Sequence, residues 1–477
     1  MEVVTLIEMT LAQIAAATGG RLAGADPAVG VSGQVEYDSR RIGPGGLFVA
    51  LPGERVDGHD FAGAAIAAGA VAVLGTRPVP DVPMVLVPDA LAALTALAQQ
   101  VAGQLIEGGL TVVAVTGSSG KTTTKDLLAQ LASGVGSTVA PAGSLNNELG
   151  HPYTVLRADP TTRYLVLELG ARGAGHIAHL CRIAPPQIGV VLNVGVAHIG
   201  EFGSVEAIAA AKGELVEALP GHGVAVLNAD DPYVSAMAAR TPARSVGYGQ
   251  SPQAALRAVE VSLDERGRPS YRLVRGGESV PVRLGLTGAH QVGNTLAVAA
   301  VASELGLGLP EVAEALAGLR VVSSRRMDVF DRPDGVTVID DSYNANPAST
   351  AAALRALSSL GRGRRTVAVL GYLAELGAHE RAGHEQVGAL AAQLGVDRLV
   401  VVDAAAAAIH DGATGAGPRW RWKGESVRVA DQDAAVAWLR DQLCPGDVVL
   451  VKGSRYRTWQ VADWLREPVA DPEVIAR

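Results

Sequence analysis

The sequence predicts an α/β protein of three domains: a small N-terminal α/β domain, a central parallel sheet of the phosphate-loop ATPase type, and a Rossmann-like C-terminal α/β domain. Three observations carry this expectation. Short apolar runs alternate with helical stretches along most of the chain, the pattern of βα units. A glycine-rich loop stands between one such run and a helix. The chain has 477 residues, and at roughly 150 residues per domain that length suits about three domains. The expected boundaries are 1–88, 89–321 and 322–477.

In the first domain, Thr10 and Gln13 form a capping-box pattern, Leu11 and Ile14 start an apolar face, and Gly19-Gly20 ends the helix. Strands fit Leu47–Leu51, Val71–Leu74 and Met84–Val87, with a helix between the first two. Asp89 then caps an Ala/Leu-rich helix expected to run to about Val101. In the central domain, Leu110–Val115 is nearly all apolar, as suits a strand covered on both faces. Tyr164–Leu167, Ile188–Leu192 and Gly223–Leu227 read the same way. From Ala254 to Leu286 apolar and polar residues alternate around Arg266-Gly267 and Gly276-Gly277, which suits β-hairpins. After Ser323-Ser324, strands fit Val336–Ile339, Thr366–Leu370, Arg398–Val402 and Val448–Val451. Helices there fit Ser349–Leu360, His384–Leu394 and Asp433–Leu443, and a further helix suits Ala404–Ala408.

Composition excludes several classes. A formal charge of −8 argues against a general nucleic-acid binder, which needs a basic excess to track phosphates. Cys181 and Cys444 suggest no disulfide framework and fit a reducing, cytoplasmic setting. The start carries Glu2 and Glu8 and no Lys or Arg before Met9, so no signal peptide is expected. The most apolar stretch, Phe61–Gly75, is too short to span a bilayer, so no stable membrane insertion is expected.

The strongest local signal is Thr116-Gly117-Ser118-Ser119-Gly120-Lys121-Thr122-Thr123, followed by a helix expected from Lys125 to about Leu131. Backbone N–H groups of such a loop converge on phosphate oxygens, and the helix dipole favours the same charge. Lys121 can reach terminal phosphates, and the Thr122 hydroxyl is placed to ligate Mg²⁺. The first glycine comes two residues later than in the common G-x-x-x-x-G-K-[ST] spacing. On this segment alone many nucleotide-dependent enzymes remain possible. Glu168 closes an apolar strand, where α/β folds bind ligands. His198 follows another buried strand, and Lys212 lies on a helix starting near Ser204. His379-Glu380 and His384 superficially suggest a zinc helix, but the histidines are five apart rather than four, so zinc is not expected.

Taken together these segments resemble the Mur ligase family. The phosphate loop, Ser144–Gly150, Leu167-Glu168-Leu169-Gly170, Asn193–His198, Lys212-Gly213-Glu214, Asn228-x-Asp230-Asp231 and Gly288-x-His290-x-x-x-Asn294 are similar to its motifs. Asp340-Asp341-Ser342-Tyr343-Asn344-Ala345-Asn346-Pro347 resembles the branch that adds D-alanyl-D-alanine to a UDP-N-acetylmuramoyl-tripeptide. Other branches, such as the diaminopimelate-adding enzyme or folylpolyglutamate synthase, carry different residues there. Glu375-Leu376-Gly377 and Lys452-Gly453-Ser454-Arg455 resemble C-terminal motifs.

The resemblance implies ATP and Mg²⁺ as cofactors and an acyl-phosphate route to an amide of the peptidoglycan precursor. It implies catalytic roles for Lys121, Glu168, His198 and Lys212. Mg²⁺ would be held by Thr122, Glu168, His198 and Lys212, the last as a carbamate. ATP would be bound by Thr116 through Thr123, Asn294, Arg326, Asp341 and Tyr343. The UDP-peptide and dipeptide would meet Asp38, Ser39, Arg40, Phe48, Asn146, Asn147, Asn344 and Asn346, in a protein acting as a monomer. Three positions depart from the family pattern: Gly46 and Tyr372 stand where acidic residues are usual, and Arg325 stands where glycine is usual.

Overall fold

The computed structural model describes residues 7–53, 56–195, 199–415 and 422–467. Three large sheets follow one another along the chain, with five, nine and six strands. Among the described residues no helix is long and apolar enough to cross a membrane.

The first sheet runs 21–23, 84–86, 72–75, 47–49, 35–36, parallel except for its first strand. Thr10 and Gln13 form the expected capping box on helix Leu11–Thr18, and Gly19 ends it in the left-handed region at φ 64°. The helix opening after Asp89 extends to Glu107, beyond the expected end near Val101. Its stripe Ala90, Leu94, Leu97, Val101 and Leu105 stays buried throughout, so tertiary burial carries it past the Gly103 that weakens local propensity. That stripe joins one face of the first sheet to one face of the central sheet in a continuous core.

The central sheet runs 138–139, 164–168, 111–116, 188–191, 224–228, 244–249 and 256–263 in parallel. The expected hairpins, Leu256–Leu263, Pro269–Arg275 and Glu278–Arg283, extend it in antiparallel register. Strand Thr111–Thr116 lies between 164–168 and 188–191, and the chain leaves it first to one side and then to the other. This is a topological switch point, where a crevice opens at the strands' C-terminal ends.

The C-terminal sheet runs 328–331, 337–340, 448–452, 366–370, 398–402, 425–429, with helices packed on both faces. Strands Thr366–Leu370 and Arg398–Val402 match their expected bounds. The helices Pro347–Leu360 and Glu380–Gln393 each begin a few residues earlier than expected. In the second of these, both His384 nitrogens serve the backbone: Nδ1 donates to the Glu380 carbonyl at 2.7 Å, and Nε2 accepts from Leu373 N at 3.0 Å.

Candidate functional site

The phosphate loop hangs from the switch-point strand. Gly120 is left-handed at φ 81° and caps a helix that starts at Lys121 itself, four residues before its expected start, and runs to Ser133. A Cβ on Gly120 would stand 2.6 Å from Asn294 Oδ1, so glycine is required by both conformation and space. Asn193 braces the loop from the next strand. Its Oδ1 accepts from Ser119 N at 2.9 Å, and its carbonyl accepts from Ser118 N at 3.0 Å. Lys121 Nζ folds back to the Gly117 carbonyl at 2.8 Å. Burial pushes its pKa down, Glu168 and Glu375 oppose the shift, and Arg326 adds to it.

A cavity of about 390 Å³ opens beside this loop. From the central sheet it is lined by Ser118–Thr123, Asn146, Glu168 and Asn294, and from the C-terminal sheet by Arg326, Asp341, Tyr343, Asn344 and Asn346. Fourteen of the expected site residues therefore share one wall-to-wall space. Asn193, His290, Glu375 and Lys452 also line it. They stand inside the motifs quoted above, yet spacing alone did not distinguish them from their neighbours.

Glu168 is the last residue of its strand. Its Oε1 accepts from Asn146 Nδ2 at 2.6 Å and from Ser144 Oγ at 3.1 Å. Its Oε2 is buried with no partner. An orphaned carboxylate oxygen is costly to bury, and a hard cation beside the Thr122 hydroxyl would satisfy it. The residues present therefore fit Mg²⁺.

Lys212 is buried on helix Val205–Glu217, which Ser204 caps. Burial, with the Lys121 charge as a smaller cause, lowers its pKa to about 7. A neutral amine at that pH is the form that adds CO₂.

Arg326 enters from the C-terminal side. Its neighbours Arg325 and Met327 are both left-handed, at φ 61° and φ 53°. The unusual conformation at 325 accounts for the glycine usual in the family. Here an ion pair to Asp463 at 2.7 Å and stacking over Trp459 offset the strain. Arg326 lies 4.0 Å from the Tyr343 ring centroid, and its buried Nε has no partner, ready for an anion. Asp341 pairs with buried Lys452 at 2.5 Å, and Lys452 also reaches the Asn344 carbonyl at 3.0 Å.

Other expected site residues lie elsewhere. Thr116 is fully buried beneath the loop and donates to the Leu169 carbonyl at 3.0 Å. Gly117 contributes its carbonyl to Lys121 and does not line the cavity. Phe48 is 1 % exposed in the core of the first sheet. The substrate contact expected of its side chain is corrected to a packing role, because no surface of the ring is open to a ligand. Asn147 Oδ1 accepts from Gly150 N at 2.8 Å, at the start of helix Gly150–Val155. Asp38 and exposed Arg40 form an ion pair at 2.7 Å that holds the Asp38 carboxyl down at about 2. They follow Glu36 and Tyr37, which meet Tyr153 of the central unit: Tyr153 donates to Glu36 at 2.5 Å, and the two tyrosine rings pack edge-on. Asp38 and Arg40 thus follow directly on a seam between the first and central units. His198 lies outside the described residues.

Two of the departures also have physical reasons. A Cβ at Gly46 would meet Ile42 Cδ1 at 2.6 Å and the Gln34 carbonyl at 2.8 Å, leaving no room for an acid. Tyr372 donates to Glu380 at 2.5 Å and packs under Arg457.

A phosphate loop on a parallel sheet, with its cavity completed by a second α/β unit, defines a multidomain nucleotide-binding enzyme. Family models match over most of the chain: "Mur ligase family, catalytic domain" at 33–102, "Mur ligase middle domain" at 115–302, and "Mur ligase, glutamate ligase domain" at 325–455. The chain is 51 % identical to the UDP-N-acetylmuramoyl-tripeptide--D-alanyl-D-alanine ligase of Mycobacterium tuberculosis, over 94 % of this chain and 96 % of that one. It is 38 % identical to the Escherichia coli protein of the same name, with the same coverage. Among solved structures, MurF from Acinetobacter baumannii superposes with a TM-score of 0.85 at 30 % identity, covering 97 % of this chain and all (100 %) of that one. MurF from Thermotoga maritima in complex with ADP gives 0.75 at 30 % identity, covering 91 % and 96 %. The chain belongs to the Mur ligase family.

Proposed function

We propose that this protein is a cytoplasmic, ATP-dependent ligase that joins D-alanyl-D-alanine to UDP-N-acetylmuramoyl-tripeptide, giving the pentapeptide precursor of peptidoglycan. The observation that carries the reading is the shared cavity. It sets Lys121 and Glu168 of the central sheet opposite Arg326, Asp341 and Tyr343 of the C-terminal sheet.

A carboxylate resists attack by an amine until one oxygen becomes a leaving group. The tripeptide carboxylate takes the γ-phosphoryl group of ATP, giving an acyl phosphate and ADP. The dipeptide amine adds to the carbonyl, a proton leaves the nitrogen, and the C–O bond to phosphate breaks. Each species is strongly anionic, so the protein's task is positioning and charge stabilisation. In this scheme the backbone around 117–120 and the Lys121 ammonium hold the phosphates. Arg326 adds positive charge from the other wall. Asn294 and Tyr343 face the adenine, and Asp341 the ribose. Thr122, Glu168, His198 and carbamylated Lys212 would hold Mg²⁺, which neutralises phosphate charge when bound. Asp38, Ser39 and Arg40 serve the uridine end, Asn146 and Asn147 the peptide, and Asn344 and Asn346 the dipeptide. The protein acts as a monomer.

The test is mass spectrometry of the product from UDP-muramoyl tripeptide, ATP and D-alanyl-D-alanine, beside a panel of single amino acids. A mass gain of the dipeptide less one water supports the reading. Addition of a single amino acid in preference to the dipeptide would move the protein to a sister branch.

A further inference from the structure

A short helix of the central unit and a turn of the C-terminal unit touch through bare backbone. Gly200, in the short helix Ile199–Phe202, donates its N–H to the Glu375 carbonyl at 3.2 Å. A Cβ on Gly200 would stand 2.6 Å from Gly377 N and 2.8 Å from its Cα. Reciprocally, a Cβ on Gly377 would stand 2.6 Å from Gly200 Cα. Neither position tolerates a side chain while the two segments meet.

The C-terminal half of this contact is rigidly presented. Leu376 is 1 % exposed within the C-terminal core and anchors the turn. Glu375 and Gly377 on either side are left-handed, at φ 69° and φ 53°. Left-handed backbone at a glutamate is uncommon and persists where surroundings hold it. Here it places the Glu375 carbonyl on Gly200 while the same residue lines the cavity. There its carboxylate supports the charge of Lys121 across the domain gap. The central half connects equally directly, because helix Ile199–Phe202 packs on the helix that carries Lys212.

We propose that Gly200 and Gly377 form a backbone latch between the two domains, and that closing it positions Glu375 opposite Lys121 for phosphoryl transfer. The chemical part of this inference rests on the ligase reading above. The latch excludes a side chain's thickness of water at the edge of the cavity, so an acyl phosphate formed inside reacts with the amine rather than with solvent. Gly200 and Gly377 are positioning residues; neither touches a reacting atom.

Gly200→Ala is the decisive variant. Alanine is the better helix former, and the position is not left-handed, so the variant keeps its fold and loses only the close approach. Seating a methyl group there needs a displacement of about 1 Å, and misplacement of that size costs up to about a hundredfold in rate. The expected result is a kcat lowered at least about tenfold, a wild-type melting temperature, and more than one ADP released per amide formed. Wild-type turnover with one ADP per amide would overturn the latch. Hydrogen exchange gives a measure independent of turnover. In the wild type, Mg²⁺ and ADP should slow exchange in the peptide spanning 199–203, and Gly377→Ala should abolish that protection. Exchange unaffected by ADP in the wild type would also overturn the proposal. Glu375→Gln should keep the protection while lowering kcat, which separates the carbonyl from the carboxylate. If the wild type forms no amide from the three substrates, the ligase reading falls, and the exchange experiment still judges the latch.

Discussion

Asn146 donates its side-chain amide to Glu168 Oε1 at 2.6 Å, leaving Oε2 as the buried, unpartnered oxygen of that carboxylate. The amide fixes which oxygen is presented to the cavity. If Glu168 is a Mg²⁺ ligand, Asn146 orients it, and removing such a partner weakens metal binding by about 10- to 100-fold. Asn146→Ala should therefore raise the Mg²⁺ concentration needed for tight ADP binding by that factor, and Glu168→Gln should raise it further. Calorimetric titration of ADP at several Mg²⁺ concentrations measures both. Equal Mg²⁺ dependence in wild type and Asn146→Ala would remove the orienting role.

Lys212 couples the site to pH. Its ammonium is destabilised by burial and by Lys121, so the neutral amine prevails above about pH 7. At fixed dissolved CO₂, carbamate on Lys212 should appear as pH rises through 7 and vanish below it. Carbon-13 spectroscopy with labelled bicarbonate detects it directly, and Lys212→Arg should lose the signal. Lys121→Met removes a neighbouring cation, so the Lys212 pKa should rise and the carbamate onset move to higher pH.

His151 supplies an acid-sensitive point away from the cavity. It is 1 % exposed, and burial lowers its pKa from 6.5 to about 4, with the Leu180 backbone opposing the shift and His179 adding to it. The folded pKa is below the unfolded value, so below about pH 6.5 the unfolded chain takes a proton that the fold refuses. Stability is then lost as pH falls from 6.5 towards 4, by about 3 kcal/mol in full. His151→Phe should remove that part of the acid sensitivity. Denaturant titrations at pH 7 and pH 4.5 should show the variant's relative stability rising at the lower pH.

Most interior strands were legible in the sequence because burial on both faces writes a continuous apolar run, as in Thr366–Leu370; interior strand Arg244–Gly249 was not, because polar and glycine residues interrupt it. Edge strands such as Thr138–Val139, Asp328–Asp331 and Glu425–Val429 were not, because they are short or carry polar residues along an exposed edge. The helix after the phosphate loop was misplaced for a different reason. Its first turn, Lys121 to Thr124, is polar, with no apolar periodicity to reveal it, and its left-handed Gly120 cap belongs equally to a loop. Within the site, motif spacing brought together residues from two domains that share a cavity. It did not separate Phe48, which packs a core, from residues that face a ligand. Nor did it reveal the contact of Gly200 with Gly377, because a backbone approach depends on how two distant segments meet in space.

Lys452 shows how the C-terminal wall of the cavity is held. Its ammonium is fully buried against the Asp341 carboxylate, the Asp341 carbonyl and the Asn344 carbonyl. Asp341 Oδ1 meanwhile accepts from Met327 N at 3.1 Å, beside the strained turn that aims Arg326. One cation therefore ties together the segment that carries Asp341, Tyr343 and Asn344. Lys452→Met keeps the length of the side chain and deletes its charge, leaving the Asp341 carboxylate without its ion-pair partner. Breaking a buried pair from one side costs about 3–5 kcal/mol. The variant should melt earlier, with the loss falling on residues 325–467 in hydrogen exchange. Its KM for ATP should rise more than its kcat falls, because the wall that meets the nucleotide is loosened while the Lys121 and Glu168 side is untouched. A variant whose KM for ATP matched the wild type would show that Lys452 supports the fold without shaping the nucleotide site.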